Sequence, residues 1–136
     1  MKGFGKQNNS KKKKVIKKKN NPSKEQIINQ ALKFHSQGKT SEAAKYYQFF
    51  IEQGFTDPGV FSNYGILLKN LGKLQDAELS LRKAIELKPD LAMAHSNLGI
   101  LLLQKGEYNL SLKYFSESAE LLRGKEIKEP NHKRYT

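Results

Sequence analysis

The sequence repeats with a period of 34 residues, and this period constrains its fold more than any other feature. Gly38, Gly72 and Gly106 are spaced by 34 residues. Other columns keep the same register, with asparagine at the sixth place of each unit, a small residue at the eighth and a large apolar residue at the twenty-fourth. The three units, which contain no insertions, are 24–57, 58–91 and 92–125. A period of this length predicts a solenoid in which each unit buries its apolar face against its neighbours.

Apolar residues within each unit follow helical spacing. In the second unit Phe61, Tyr64, Leu68 and Leu71 are separated by three or four residues, as one face of an α-helix requires. The helical spacing resumes after Gly72, and no segment of the sequence is predicted to form a strand. The sequence therefore predicts an all-α fold whose six helices lie at about 24–37, 40–53, 58–71, 74–87, 92–105 and 108–122.

Signals at the predicted helix ends agree with this periodicity. Ser23 and Gln26 have the spacing of a capping box, and Asp57 precedes Pro58 as an N-cap precedes a proline in the first turn. Gly72 stands where a left-handed residue would end one helix shortly before the next begins.

The second unit resembles a tetratricopeptide repeat (TPR). Its matching residues are Phe61, Tyr64, Gly65, Leu68, Gly72, Ala77, Leu81, Ala84 and Pro89. The terminal units depart from the pattern, and the third has Arg123 in the place of the proline. The resemblance, which is to bacterial TPR arrays, covers residues 24–123. It implies a three-unit TPR solenoid that serves as a non-catalytic protein-interaction module.

Positive charge is concentrated at the N-terminus. Residues 1–23 contain nine lysines and no acidic residue, whereas residues 24–123 carry 12 basic and 11 acidic side chains. A lysine-rich stretch with few apolar residues cannot offset the entropy lost on ordering, so we expect a disordered arm. Residues 2–19 would bind phosphates of nucleic acid or of anionic lipid, or would simply keep the arm solvated. Residues 126–136 are expected to form a short C-terminal tail.

The sequence carries no sign of catalysis. The chain has no cysteine, which excludes disulfides and thiolate metal sites. Its histidines, His35, His95 and His132, fall at unrelated places, and no phosphate-binding loop, metal-ligand pair or nucleophile motif occurs. The longest apolar run, 100–103, is far shorter than the roughly 20 residues of a membrane helix. We predict no enzymatic activity, no cofactor, no metal and a cytoplasmic location.

The resemblance also implies a binding surface. In TPR proteins the first helix of each unit lines the concave wall of the solenoid. The residues at those places, here called the inner face, are Ile28, Asn29, Leu32, Ser62, Asn63, Ile66, Lys69, Asn70, Met93, Ser96, Asn97, Ile100 and Gln104. A carboxamide both donates and accepts, so the recurrent Asn29, Asn63 and Asn97 can pair with the backbone of an extended peptide. The alternative is that asparagine is simply common at this place in TPR sequences.

The inner face differs from that of chaperone-binding TPR proteins. Those proteins hold a terminal carboxylate with Lys, Asn, Asn, Lys and Arg at fixed places. The corresponding residues here are Ile28, Leu32, Asn63, Met93 and Asn97. Only Asn63 is retained, and no cation stands at these places to neutralise a carboxylate. The expected ligand is a peptide or partner segment with apolar side chains.

Other roles are left open by the sequence. TPR arrays of this type often precede a sulfotransferase or glycosyltransferase domain, so the chain could scaffold such an enzyme. Alternatively, the basic arm could make it a nucleic-acid-binding protein. The last predicted helix carries more apolar residues, from Tyr108 to Leu122, than its own unit can bury. This excess predicts either self-association through the C-terminal edge or loss of a following repeat or domain.

We expect the lysine-rich arm to be dispensable for folding. A chain that starts at Ser23 keeps the capping box and every predicted helix, so its melting temperature should change little. Its helical circular dichroism per residue should rise, because the residues removed are expected to contribute no helix. Failure of this shortened chain to fold would show that the domain boundary lies elsewhere.

Overall fold

The computed structural model describes residues 21–128, which form six α-helices. Their bounds are α1 Lys24–Ser36, α2 Thr40–Glu52, α3 Pro58–Asn70, α4 Leu74–Leu87, α5 Ala92–Gln104 and α6 Tyr108–Lys128. The helices pack as consecutive pairs, so each 34-residue unit is one helical hairpin. Residues 21–128 contain no strand, and the all-α prediction is confirmed. The predicted arm over residues 1–20 and the part of the predicted tail after residue 128 lie outside the described residues.

The helix ends have the capping contacts that the sequence predicts. The Ser23 hydroxyl accepts a hydrogen bond from the Gln26 amide at 3.2 Å, and Gln26 Oε1 accepts one from the Ser23 amide at 2.8 Å. The Asp57 carboxylate accepts a hydrogen bond from the Val60 amide at 3.0 Å. These bonds satisfy amides that a helix N-terminus leaves unpaired. Gly72 has a φ of 79°, the left-handed value expected after a helix C-terminus, and the corresponding glycines of the other units share it.

The last helix is longer than predicted. The sequence predicts an end near residue 122, but α6 continues to Lys128. In the second unit Pro89 closely follows α4, and proline cannot continue a helix because it lacks the amide hydrogen. The third unit has Arg123 at that place, and its next proline is Pro130. The helix therefore extends until shortly before Pro130, whose ring disfavours helical backbone in the preceding residue.

Small residues allow the two helices of a unit to approach closely. A Cβ atom added to Gly65 on α3 would lie 2.7 Å from Cγ of Leu81 and 3.2 Å from the backbone oxygen of Ala77 on α4. A Cβ atom added to Gly99 on α5 would lie 3.0 Å from the Phe115 ring on α6. These gaps leave no room for a side chain at densely packed contacts. The predicted meeting of Gly65 and Ala77 is confirmed.

Buried serines replace alanines in the third unit and hold its helices together by hydrogen bonds. Ser111 on α6 donates to the Gly99 carbonyl at 2.8 Å, and Ser118 donates to the Ala92 carbonyl at 2.9 Å. Each hydroxyl is buried, and its bond offsets the cost of removing it from water. The departures from the TPR pattern in this unit therefore preserve the close packing of α5 on α6.

The core is continuous between units. Its fully buried large side chains are Ile27, Tyr47, Phe50, Leu67, Leu81, Leu98, Leu101 and Leu102. At the first junction the Tyr47 ring of α2 lies 6.1 Å from the Tyr64 ring of α3, measured between centroids. Each unit therefore depends on its neighbour to bury apolar area, as in other repeat proteins.

We expect Gly65→Ala to destabilise the protein by about 1–3 kcal/mol, because the added methyl group overlaps Leu81 and the Ala77 carbonyl. Gly124→Ala is the matched control: an added Cβ there meets nothing within 4 Å. The control should be neutral or stabilising by up to about 1 kcal/mol, since alanine favours helix more than glycine does. Urea unfolding followed by circular dichroism measures both changes. Equal effects would contradict the close packing of α3 on α4.

Candidate functional site

The inner-face residues lie on the first helix of each unit but differ in accessibility. The exposed members are Asn29, Leu32, Asn70, Met93, Ile100 and Gln104, and the partly exposed members are Ile28, Asn63, Ile66, Lys69, Ser96 and Asn97. Ser62 differs, because its side chain is only 1% exposed and its hydroxyl is buried. The residues at the same place of the other two units, Ile28 and Ser96, are partly exposed. Ser62 therefore does not belong to an accessible inner face.

Apolar side chains are exposed on this set of helices. Leu32 on α1 is 43% exposed, and Met93 and Ile100 on α5 are 56% and 38% exposed. Leu103, one turn after Ile100, is 48% exposed and extends the apolar surface. Ile66 on α3 occupies the same place of its unit as Leu32 and Ile100. Exposed apolar residues that recur in register, rather than singly, are typical of an interaction surface.

The three asparagines of the repeat column have different environments. Asn29 lies on the first helix of the described residues, which place no unit before it, and is exposed. Asn63 lies near the Tyr47 hydroxyl of the preceding unit. The residue that corresponds to Tyr47 one unit later is Leu81, which has no hydrogen-bonding side chain. Accordingly, the buried Nδ2 atom of Asn97 has no hydrogen-bond partner in the described part of the chain.

Tyr47 connects polar residues of the first two units. Its hydroxyl lies 3.3 Å from Nδ1 of His35 on α1. Burial raises the pKa of the Tyr47 hydroxyl above its ordinary value of 10.0, and the Asn63 side chain opposes this shift. The hydroxyl is therefore neutral at physiological pH. A neutral Tyr47 hydroxyl can position neighbouring side chains by hydrogen bonding, but it does not act as a base.

A charge network joins the second and third units. Glu78 on α4 accepts hydrogen bonds from Arg82 at 2.9 Å and from Lys105 at 2.6 Å. Arg82 also donates to the Tyr114 hydroxyl on α6 at 2.9 Å, and Lys105 lies 3.3 Å from Glu107. The hydrogen bond from Lys105, assisted by Arg82, lowers the pKa of the Glu78 carboxyl below its ordinary value of 4.5. The network fixes the α5–α6 turn against α4 and so helps to position the inner-face residues of α5.

A second concave surface lies outside the predicted set. We call it the outer groove; it has a volume of about 280 Å³ and is lined by Ile51, Phe61, Tyr64, Leu68, Asp76, Leu79 and Ser80. Burial raises the pKa of the Tyr64 hydroxyl, and the carboxylates of Asp76 and Glu52 act in the same direction. Sequence reasoning missed this groove because its residues come from three helices in two units. Repeat periodicity groups residues by their place in a unit and does not bring such a set together.

The described residues offer a ligand apolar area and carboxamide hydrogen bonds. Residues 21–128 contain no group of three or more histidine or acidic side chains that could hold a metal ion. Within the same range, no helix has both the length and the apolar character needed to cross a membrane. The two histidines here already have contacts: His35 lies against Tyr47, and Nε2 of His95 lies 2.7 Å from the Pro89 carbonyl oxygen.

Residues 65–106 match a family model described as a TPR repeat, and they span the α3–α4 hairpin and α5. The chain contains a TPR repeat, and its fold is a TPR solenoid. The solenoid of helical hairpins extends the same fold across the first and third units, where the sequence departs from the family pattern. No curated protein matches the sequence.

Solved structures share this fold. A crystal structure of MamA has a TM-score of 0.71 at 20% identity, covering 79% of this chain and 62% of MamA. The TPR2B domain of yeast Sti1 in complex with pHsp70 has a TM-score of 0.68 at 21% identity, covering 77% of this chain and 87% of that domain. The first TPR of Spaghetti (RPAP3), bound to the HSP90 peptide SRMEEVD, has a TM-score of 0.66 at 22% identity. The match covers 70% of this chain and 75% of that domain. The present chain thus spans less than two thirds of the MamA chain, and the likeness establishes the fold.

We expect Glu78→Gln to lower the melting temperature by a few degrees at neutral pH, because the variant loses the charge that holds Arg82 and Lys105. The pKa of Glu78 is lowered in the folded protein. Its stabilising contribution is therefore present above the ordinary value of 4.5 and is lost as the pH falls through the lowered folded value. Calorimetric melting temperatures of the two proteins should converge in acid. A difference that stays constant from neutral to acidic pH would contradict this role.

Proposed function

We propose that this TPR protein binds an extended peptide segment with apolar side chains on its inner face, without catalysis. The TPR fold is generally a non-catalytic interaction module, and two of the structures above contain Hsp70 or HSP90 ligands. One observation carries the proposal. Exposed apolar side chains of Leu32, Met93 and Ile100 lie on the helices that carry Asn29 and Asn97. Nδ2 of Asn97 has no hydrogen-bond partner among the described residues.

The apolar residues supply affinity. Fully burying a leucine, isoleucine or methionine side chain stabilises a complex by about 1.5–3 kcal/mol relative to leaving it exposed. Leu32, Ile66 and Ile100 recur at one place of each unit, so a ligand must extend along the solenoid to contact all three. A peptide with apolar residues at matching intervals would cover them, whereas a compact small molecule would reach only one unit.

Asn97 supplies the sharpest hydrogen-bonding feature. Its Nδ2 atom is buried and unpaired in the described part of the chain, and such a donor costs about 1–3 kcal/mol. Rotation about χ2 exchanges Nδ2 and Oδ1, which would let the N–H group donate to a peptide carbonyl. Asn63 has less unused capacity because it lies near Tyr47. We therefore assign the main contact with the peptide backbone to Asn97.

The charge of the inner face favours a neutral ligand. Lys69 is the one cationic member of the set. The HSP90 peptide SRMEEVD has three acidic residues, and this surface offers little to neutralise them. An acidic C-terminal peptide of that kind is therefore not the ligand we propose.

The other functions suggested by the sequence stay predictions. Binding of nucleic acid or anionic lipid would depend on residues 2–19, which lie outside the described residues, and would weaken steeply as salt is added. Scaffolding of a sulfo- or glycosyltransferase and a cytoplasmic location rest on the sequence reasoning alone.

Selection of random phage-displayed peptides on the immobilised full chain tests the proposal. We expect the selected peptides to be rich in apolar residues and to bind in solution, as measured by fluorescence anisotropy. Ile100→Lys and Asn97→Ala should each weaken their binding by about tenfold or more, because the first removes apolar contact and the second a backbone hydrogen bond. Unchanged melting temperatures would show that the variants remain folded.

Leu79→Lys is the matched control, since Leu79 is 68% exposed and lies at the outer groove. This variant should bind the selected peptides as the wild type does. Loss of binding in Leu79→Lys but not in Ile100→Lys would assign the peptides to the outer groove and refute the inner-face proposal. Selection of acidic peptides that require a free C-terminus would refute the proposed ligand chemistry.

A further inference from the structure

The outer groove is an apolar surface to which the peptide-binding proposal assigns no ligand. Ile51 and Phe61 lie at one end of it, where α2 ends and α3 begins. Leu68 and Asp76 lie at the other, where α3 ends and α4 begins. Leu79, which is 68% exposed, also lines the groove. No inner-face residue does so, and an occupant of the groove would therefore leave the inner face free for a peptide.

Acidic side chains give the groove a negative potential. Asp76 lines it, and Glu52 follows the lining residue Ile51. Burial raises the pKa of the Tyr64 hydroxyl in the groove, and the charges of both carboxylates raise it further. Neither carboxylate forms an ion pair with a cation of residues 21–128, and the lining residues include no lysine or arginine. The groove therefore favours an apolar side chain that is flanked by cations.

The lysine-rich arm contains a segment of this composition. Val15 and Ile16 are the one pair of adjacent apolar residues in the arm, and lysines stand on both sides of them. Alternate side chains of an extended segment point in the same direction, so Lys14, Ile16 and Lys18 share a side. An aliphatic side chain between two ammonium groups complements an apolar groove between two carboxylates.

The start of α1, to which the arm is joined, lies next to the groove. Nζ of Lys24 donates a hydrogen bond to the Thr56 carbonyl at 3.1 Å and lies 5.9 Å from the centroid of the Phe50 ring. Phe50 directly precedes Ile51, which lines the groove. A segment held there by a short linker has a high effective concentration, so the chain's own arm is favoured over a separate partner of the same charge.

The linker is long enough, and the segment fits the length of the groove. Ile16 stands five residues before Asn21, and five extended residues span about 17 Å. Neighbouring helix axes are only about 8–10 Å apart, so Ile16 can reach the groove. Phe61 and Leu68, near its two ends, are seven helical residues apart, or about 10 Å. The two lysines of the segment are four residues apart and span about 13 Å when extended.

We propose that residues 14–18 of the arm occupy the outer groove of the same chain, with Ile16 in contact with its apolar floor. The linker sets the direction of the segment, because its later lysine must lie nearer to the start of α1. That residue, Lys18, pairs with Glu52 at the near end of the groove. The earlier lysine pairs with Asp76 at the far end.

The contact is weak and depends on salt. It consists of one aliphatic side chain and two exposed ion pairs, and exposed pairs contribute little to stability. The melting temperature of a chain that starts at Ser23 should therefore still change little. Salt at 1 M shortens the Debye length to about 3 Å and should release the segment. While residues 14–18 are docked, their lysines are engaged with carboxylates and not with the phosphates of nucleic acid or lipid.

Paramagnetic relaxation in the full chain tests the proposal. The chain has no cysteine, so Gln75→Cys provides a single site for a nitroxide label, and residue 75 is exposed one turn before Leu79 on α4. We expect the label to broaden the amide NMR signals of residues 14–18. Adding Leu79→Lys should reduce this broadening by about threefold or more, because a cation in the groove repels the lysines. Ile16→Ser should reduce it as well, since the segment loses its apolar contact.

Two matched controls separate docking from the mere nearness of the arm. Leu112→Lys adds the same charge at a leucine of similar exposure, 65%, on α6, and Phe4→Ser removes an apolar residue of the arm outside the segment. Both variants should keep the broadening of the labelled parent. Circular dichroism of every variant establishes that it is folded.

Three results would overturn the proposal. The first is broadening that Leu79→Lys and Ile16→Ser leave unchanged, which would show an arm that is tethered but not docked. The second is broadening that persists undiminished in 1 M salt, because the ion pairs would then be absent. The third is broadening of an unlabelled, isotope-enriched chain by a labelled second chain in a mixed sample. That result would assign the groove to the arm of another copy.

Discussion

The close approach of the two helices within each unit is the contact on which the rest of the structure depends. Gly65 against Leu81 and Gly99 against Phe115 set the separation of the second and third hairpins, and the buried Ala31 stands at the same place in the first. Because every unit has the same hairpin, the units stack with a constant register. That register places one residue of each unit, such as Leu32, on the same side of the solenoid. A bulky side chain at these places would change the hairpin and misalign the surface.

The junctions between units are built from different chemistry although the repeat is regular. The first junction is aromatic, with the Tyr47 ring near the Tyr64 ring, and it supplies a hydroxyl near Asn63. The second is ionic: Glu78 binds Lys105 across the junction, while Leu81 stands at the place of Tyr47. Asn63 therefore lies near a hydroxyl of the preceding unit, whereas the corresponding residue before Asn97, Leu81, offers no hydrogen bond. The last described helix differs again, since α6 exposes Tyr108, Leu112 and Leu122.

The sequence predicted the helices better than it predicted the surface. Each predicted helix is present, because glycine, proline and capping residues act locally at the positions where they stand. The error at the end of α6 arose where Arg123 replaced the proline that closes the second unit. Accessibility was harder to predict. Ser62 shares a repeat place with Ile28 and Ser96 but is buried, and the outer groove combines residues from three helices.

The sequence by itself determined the repeat length, the order of the helices and the residues that meet within a hairpin. These features depend on contacts between residues close in the chain, so the spacing of glycines and apolar residues encodes them. The tertiary structure alone decided which inner-face residues reach the surface and why, among the described residues, Asn97 has an unpaired donor while Asn63 lies near a hydroxyl. It also decided how far the apolar side chains of α6 are exposed. Those properties depend on which unit lies beside a residue, and a repeat pattern assigns the same role to every unit.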